Sequence, residues 1–143
     1  MSEQCQVNTK ETKTYFPSGN IQSILTLGLE NNEMDSYFKR FSPDGSIREE
    51  YGIKNGKKNG LYKKYYKGKW TLIECNYKNG NIDGKYVSHP YQGQQIQELN
   101  YDNGLLVESK TIDHFTRNIV SHCVWKDGVP IKIDLPKDDK NKE

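Results

Sequence analysis
The sequence predicts an all-β protein built as one antiparallel sheet of about five stacked β-hairpins. Three observations carry this. Asn55-Gly56, Asn79-Gly80, Asn103-Gly104 and Asp127-Gly128 recur at a step of 24 residues, and one step earlier the frame lands on Asn31-Asn32. The residues leading into each pair alternate between apolar and polar. The 143-residue chain contains no alanine but ten tyrosines and twelve glycines. That composition favours strands and turns over long helices, which gain from alanine's lack of side-chain entropy.

The remaining composition narrows the class. With 28% charged residues the chain suits a sheet with one buried face better than a thick two-sided core. Its net charge of +2 is close to neutral and makes no global demand for nucleic acid or an acidic substrate. No apolar run approaches the roughly 18 residues that would span a bilayer. The N-terminal MSEQCQVNTKETK is polar and lacks the apolar centre of a signal peptide. Three cysteines without close spacing fit a reducing compartment. The expected location is intracellular: a cytoplasm, or a host cytoplasm or virion if the chain is viral.

Taken from the N-terminus, residues 1–13 are expected to be a disordered tail and residues 14–135 the repeat array. Asn-Gly and Asp-Gly suit a two-residue type I′ turn, where both central residues need φ > 0, so each unit should be one hairpin. Four and two residues before each turn stand Leu27 and Leu29, Tyr51 and Ile53, Cys75 and Tyr77, Leu99 and Tyr101, Cys123 and Trp125. All are apolar or aromatic. Of the interleaved positions only Val124 is apolar. This is period-two alternation, with one face buried and one wet.

A two-residue loop also sets register. Lys54 should face Lys57, and Ile53 should face Lys58. The inward pairs that follow are Leu29 with Met34, Leu25 with Phe38, Tyr77 with Ile82, Ile73 with Tyr86, and Tyr101 with Leu106. Tyr51 should face Gly60 and Cys75 should face Gly84, glycine leaving room for a ring or a close backbone approach. Towards the end of the array Glu108 should face Leu99 and Lys132 should face Cys123. Lys58 opposite Ile53 is also a polar residue at an inward position, accounted for only by its long stem lying along the sheet. Pro17-Ser18-Gly19, Pro43-Asp44-Gly45, Lys67-Gly68 and Gln92-Gly93 should link successive hairpins. Residues 129–135 alternate well enough for a capping strand, and residues 136–143 read as a charged tail.

The pattern Tyr-x-Asn-Gly-x-x-x-Gly-x-Tyr, met in full from Tyr77 to Tyr86 and with Ile53 for the first Tyr from Ile53 to Tyr62, resembles the MORN (membrane occupation and recognition nexus) repeat. It is most similar to the variant form of bacterial and large-virus proteins, over about residues 15–130. Ser36, Glu108 and Lys132 replace the second glycine in the other units, and the Glu-Gly-x-Trp lead of the eukaryotic form is absent. The resemblance implies a curved, half-pipe sheet of stacked hairpins. It also implies a non-catalytic role in protein–protein contact, with lipid binding in some members.

The segment from Lys54 to Lys69 is the clearest charged feature. Lys54, Lys57, Lys58, Lys63, Lys64, Lys67 and Lys69 occur with no acid between Tyr51 and Ile73, and Tyr62, Tyr65, Tyr66 and Trp70 are interleaved. These residues form a candidate surface for anionic lipid headgroups or a nucleic-acid strand. They better suit exposed strand edges on which lysine blocks unwanted pairing, and the lack of arginine argues against phosphate clamping. Cys75 and Cys123 share a repeat position two units apart. Four strands at about 4.8 Å place them roughly 19 Å apart, beyond the ~7 Å that a disulfide spans, so both should be free, inward thiols. His89, His114 and His122 form no ligand cluster, and no Ser/His/Asp set maps to one place. Glu50, Glu74 and Glu98 recur as a solubilising stripe. The expected function is thus a non-enzymatic protein-interaction module without cofactor or metal, presenting an aromatic groove. The alternative is a peripheral binder of anionic surfaces through the Lys-rich second and third repeats. The open sheet edges would also admit a homodimer.

Overall fold
The structure, a computed structural model, describes residues 10–30, 33–90, 92–93 and 95–134. Eleven strands form one sheet: β1 (Lys10–Tyr15), β2 (Ile21–Glu30), β3 (Glu33–Phe41), β4 (Ile47–Lys54), β5 (Lys57–Tyr66), β6 (Trp70–Lys78), β7 (Asn81–Ser88), β8 (Gln95–Asp102), β9 (Leu105–Asp113), β10 (Ile119–Lys126) and β11 (Val129–Asp134). Spatial order follows chain order and every neighbour is antiparallel. β1 and β11 are the two edges, so this is an open, curved sheet of stacked hairpins and not a closed barrel. There is no helix among the described residues, and so none long and apolar enough to cross a membrane. β1 takes in Lys10–Lys13, which the sequence assigned to the tail. The remaining tail residues and the Asn31-Asn32 turn lie outside the described residues.

The turn chemistry is as expected. Asn55, Asn79, Asn103 and Asp127 take φ of 49°, 50°, 47° and 51°, and Gly56, Gly80, Gly104 and Gly128 take 76°, 85°, 86° and 77°. Positive φ at both centres defines the type I′ turn, whose twist matches that of the flanking strands. Next to each turn the register also follows: Ile53 pairs with Lys58, Tyr77 with Ile82, Tyr101 with Leu106, Leu29 with Met34 and Leu25 with Phe38.

Farther from the turns the register departs from the simple extrapolation. Tyr51 pairs with Tyr62 instead of Gly60, and Cys75 pairs with Tyr86 instead of Gly84. Ile73 pairs with Ser88 instead of Tyr86. Two residues along β4 or β6 are thus matched by four along β5 or β7. The inserted stretch contains Gly60 (φ 85°) or Gly84 (φ 83°). A Cβ at either glycine would meet nothing within 4 Å. The glycines are therefore needed for backbone conformation at a bulge, and not to leave room for a ring. An advance by four keeps side-chain parity, so Tyr62 and Tyr86 stay on the face of Tyr51 and Cys75. Bulges bend the strand and increase its twist, which curves the sheet.

Units without this glycine behave differently. Across Ser36 the β2–β3 register is unbroken. β8–β9 and β10–β11 carry a one-residue bulge, which pairs Glu108 with Asn100 and Lys132 with Val124. Leu99 and Cys123 pair instead with Ser109 and Ile133, so the two mismatches expected at the end of the array do not occur.

Successive units are tied at their turns. Gly80 N donates to the Lys58 carbonyl at 2.9 Å, and Gly104 N donates to the Ile82 carbonyl at 2.8 Å. Asn59 and Asp83, equivalent residues of the two glycine bulges, accept from Asn79 N (3.4 Å) and Asn103 N (2.9 Å) of the next turn. The link loops lie at the opposite strand ends. They include the four read from sequence and a fifth over 114–118, closed by Asp113 N to the Asn118 carbonyl and by Arg117 N to the Asp113 carbonyl, both at 2.9 Å.

Gly84→Ala should cost about 1–2 kcal/mol, the left-handed penalty alone, because its Cβ would have open space. Gly84→Val should cost more and Gly84→Asn less. Urea unfolding of the three variants checks this, and a Val variant as stable as the parent would show that the bulge does not need the conformation.

Candidate functional site
One face of the sheet gathers a file of rings, one from each of six strands: Phe38, Tyr51, Tyr62, Tyr77, Tyr86 and Tyr101. Centroid distances are 5.1 Å for Phe38–Tyr51, 5.9 Å for Tyr51–Tyr62, 5.8 Å for Tyr62–Tyr77 and 6.3 Å for Tyr86–Tyr101. These are stacking and edge-to-face separations, favourable beyond area burial alone. All six rings are only half-buried. The buried apolar residues among those described are Cys75 and Ile96, 3% and 4% exposed. Cys75 lies beneath the file, paired with Tyr62 on one side and Tyr86 on the other. Gly60 and Gly84 face Tyr77 and Tyr101 of the following unit.

Lys58 accounts for itself here. Its Nζ lies 4.6, 4.9 and 5.2 Å from the ring centroids of Tyr51, Tyr62 and Tyr77. A cation over ring faces is attracted by their quadrupoles, and three rings share this one. The inward lysine opposite Ile53 is therefore held by the aromatic file. The sequence contained the signal, a lysine at an inward register position among tyrosines. Which rings it would meet depended on the bulge that carries Tyr62 level with Tyr51.

One flank of the file is polar. Glu49 accepts from the Tyr62 hydroxyl at 2.9 Å and pairs with the Arg40 guanidinium at 2.9 Å. Burial, and then the bond to Glu49, raises the Tyr62 hydroxyl well above the ordinary tyrosine range. Burial also raises Tyr51, Tyr77 and Tyr86. It pushes the Cys75 thiol up to about 11, against the lowering effect of Lys58. The face therefore carries tyrosine hydroxyls, with Lys58 Nζ among three of the rings and the Glu49–Arg40 pair beside them, over the buried Cys75 thiol. These are groups for ring contact and hydrogen bonding. Cys75 and Cys123 are both free thiols, as expected.

The opposite face is ionic. Lys39, Glu50, Lys63, Glu74, Val87, Glu98, Lys110 and His122 lie in register across eight strands. The glutamate stripe expected at the repeat step thus has Lys63 set between Glu50 and Glu74, and opposite charges across strands stabilise a sheet. The Tyr65 hydroxyl donates to Glu50 at 2.9 Å. Near the far end, Glu108 bonds to Lys110 (3.0 Å), Asn100 (3.0 Å) and His122 (2.8 Å). These partners, Lys110 and Asn100 first, hold its carboxyl down to about 2.

The lysine-rich candidate surface is not brought together in one place. Lys54 and Lys57 flank the Asn55-Gly56 turn, with Lys54 opposite Asp35 and the Lys57 stem along Gly80 of the next turn. Lys58 is in the tyrosine cage. Lys63 and Tyr65 are on the ionic face, and Lys64 is opposite Glu49 and Ile73. Tyr66, Lys67 and Lys69 occupy the link edge, where Lys67 Nζ sits 5.4 Å from the Tyr66 centroid. Trp70 is on that edge too, 61% exposed. The turn residues Asn55, Gly56, Asn79, Gly80, Asn103, Gly104, Asp127 and Gly128 all lie along the other edge. Among the described residues no group of three or more His, Cys, Asp or Glu side chains could hold a metal ion. No family model, curated protein or solved structure matches this chain.

Lys58→Met should lower stability by about 1–2 kcal/mol, because the ammonium–ring attraction is lost while the stem volume is kept. Lys58→Arg should recover most of it in urea unfolding. A second outcome concerns alkali. Burial and the bond to Glu50 push the Tyr65 hydroxyl up to about 12, from the ordinary 10.0. The folded state thus holds that proton more tightly than the unfolded one. The contribution is complete below pH 10 and is lost as pH rises through about 12. Tyr65→Phe should flatten the fall of the unfolding midpoint over this window, and an unchanged slope would count against the Glu50 bond.

Proposed function
We propose that this chain is a non-enzymatic interaction module that docks a partner polypeptide on its tyrosine face. The carrying observation is the ring file itself: six half-buried aromatic side chains on a single-layer sheet, with no second layer over them among the described residues. Open apolar surface of this kind marks interaction sites, and tyrosine contributes large, rigid contact area with a hydroxyl that tolerates water. The resemblance to MORN repeats supports the same role. The alternative, an anionic-surface binder, draws less support, because the lysines on which it rests are divided between two faces and two edges.

Affinity capture at low and at roughly physiological salt tests the reading, with two variants beside the parent. A specific partner should be retained by Lys63/Lys64/Lys67/Lys69→Ser at both salts and lost by Tyr101→Ser, with circular dichroism showing both variants folded. Capture that survives Tyr101→Ser but fails in the lysine variant, or fails at higher salt, would overturn it in favour of electrostatic binding.

A further inference from the structure
The link edge carries a feature that the docking face does not use. The start of β6 and the loops joining β7 to β8 and β9 to β10 enclose an open cavity of about 600 Å³, lined by Trp70, His89, Pro90, Ile96, His114 and Phe115 among others. Small-molecule sites commonly measure about 300–1,000 Å³ and are mostly apolar with a few polar groups. Ile96 is 4% exposed, whereas Trp70 and Phe115 are 61% and 75% exposed, so large ring surface stands open beside an apolar floor. Ile96 shares a side with Glu98, two residues on, which places the cavity away from the tyrosine face.

The loops are set by defined contacts. His89 N donates to the Leu72 carbonyl at 2.7 Å, and Gly93 N donates to the Pro90 carbonyl at 3.1 Å. A Cβ at Gly93 would collide with the Pro90 ring, so this wall requires glycine. Among its described lining residues there is no acid, and the lining polar side chains include the two histidine rings. Asp113, at the start of the third loop, is turned to its own turn and accepts from Phe115 N, Thr116 N and Thr116 Oγ at 2.8–3.0 Å. His89 and His114 add ring N–H groups to the lining.

We propose that this cavity binds a small planar aromatic anion, its ring between Trp70 and Phe115 and its charge towards the ring N–H groups of His89 and His114. The site is independent of the docking face. The test is calorimetric titration of the full chain with 2-naphthoate and with 2-naphthylmethylammonium, beside quenching of Trp emission. Naphthoate should bind one to one and saturably, and the ammonium analogue about tenfold more weakly. Phe115→Ser and Trp70→Leu, both at exposed positions, should each weaken naphthoate binding about tenfold. Gly93→Ala should weaken it in the same direction. Tyr101→Ser should leave it unchanged, so failure here and failure of the docking reading are separately visible. Absence of saturable binding, equal affinity for the two analogues, or unchanged affinity in both Phe115→Ser and Trp70→Leu would overturn the proposal.

Discussion
The sheet depends on one backbone constraint: a two-residue turn whose central residues both take φ > 0. Side chains other than Asn, Asp and Gly resist that region because Cβ approaches the backbone oxygen. The constraint does more than reverse the chain. It aligns the strands so that a 24-residue step returns the turns to the same height, where the Gly80 and Gly104 N–H groups reach carbonyls of the preceding unit. The array is thereby held by turn-to-turn hydrogen bonds along one edge as well as by the strand ladder.

A second glycine shapes the middle of the array. Gly60 and Gly84 admit a bulge that adds two residues to β5 and β7. The addition preserves parity, brings Tyr62 and Tyr86 level with Tyr51 and Cys75, and bends the strand. It also lets the bulge residues Asn59 and Asp83 bond to the following turn. Rings from six strands then fall into one file. A single-layer sheet cannot bury such a face, and the rings shield one another instead, with the Lys58 ammonium placed over three of them. Half-buried aromatic surface is thus a consequence of the architecture, and so is its availability to a partner.

Much of the fold was legible because turn chemistry and alternation are local. Ile53 with Lys58, Tyr77 with Ile82 and Tyr101 with Leu106 could be read from the sequence, since a type I′ turn sets the nearest pairs. Tyr51 with Tyr62, Cys75 with Tyr86 and Ile73 with Ser88 could not. Gly60 and Gly84 were visible, but as spacers; whether a glycine opens room or admits a bulge depends on the φ it takes. The outward position of Glu108 and the link over 114–118 were hidden for the same reason, because a one-residue bulge and a turn around Arg117 have no distinctive spacing. The lysine run looked continuous in sequence and is dispersed in space, since alternation and folding send neighbours to opposite faces and edges.

The sequence by itself determined the all-β class, the hairpin unit, the repeat step and the free state of Cys75 and Cys123. Each follows from short-range sterics or from strand spacing multiplied by strand count. The tertiary structure decided which rings stack, why Lys58 faces inward, how Lys63 falls between Glu50 and Glu74, and that two separate links enclose a cavity beside Trp70. Those outcomes depend on register many residues from a turn and on loops brought together by stacking, and one inserted residue is enough to change them.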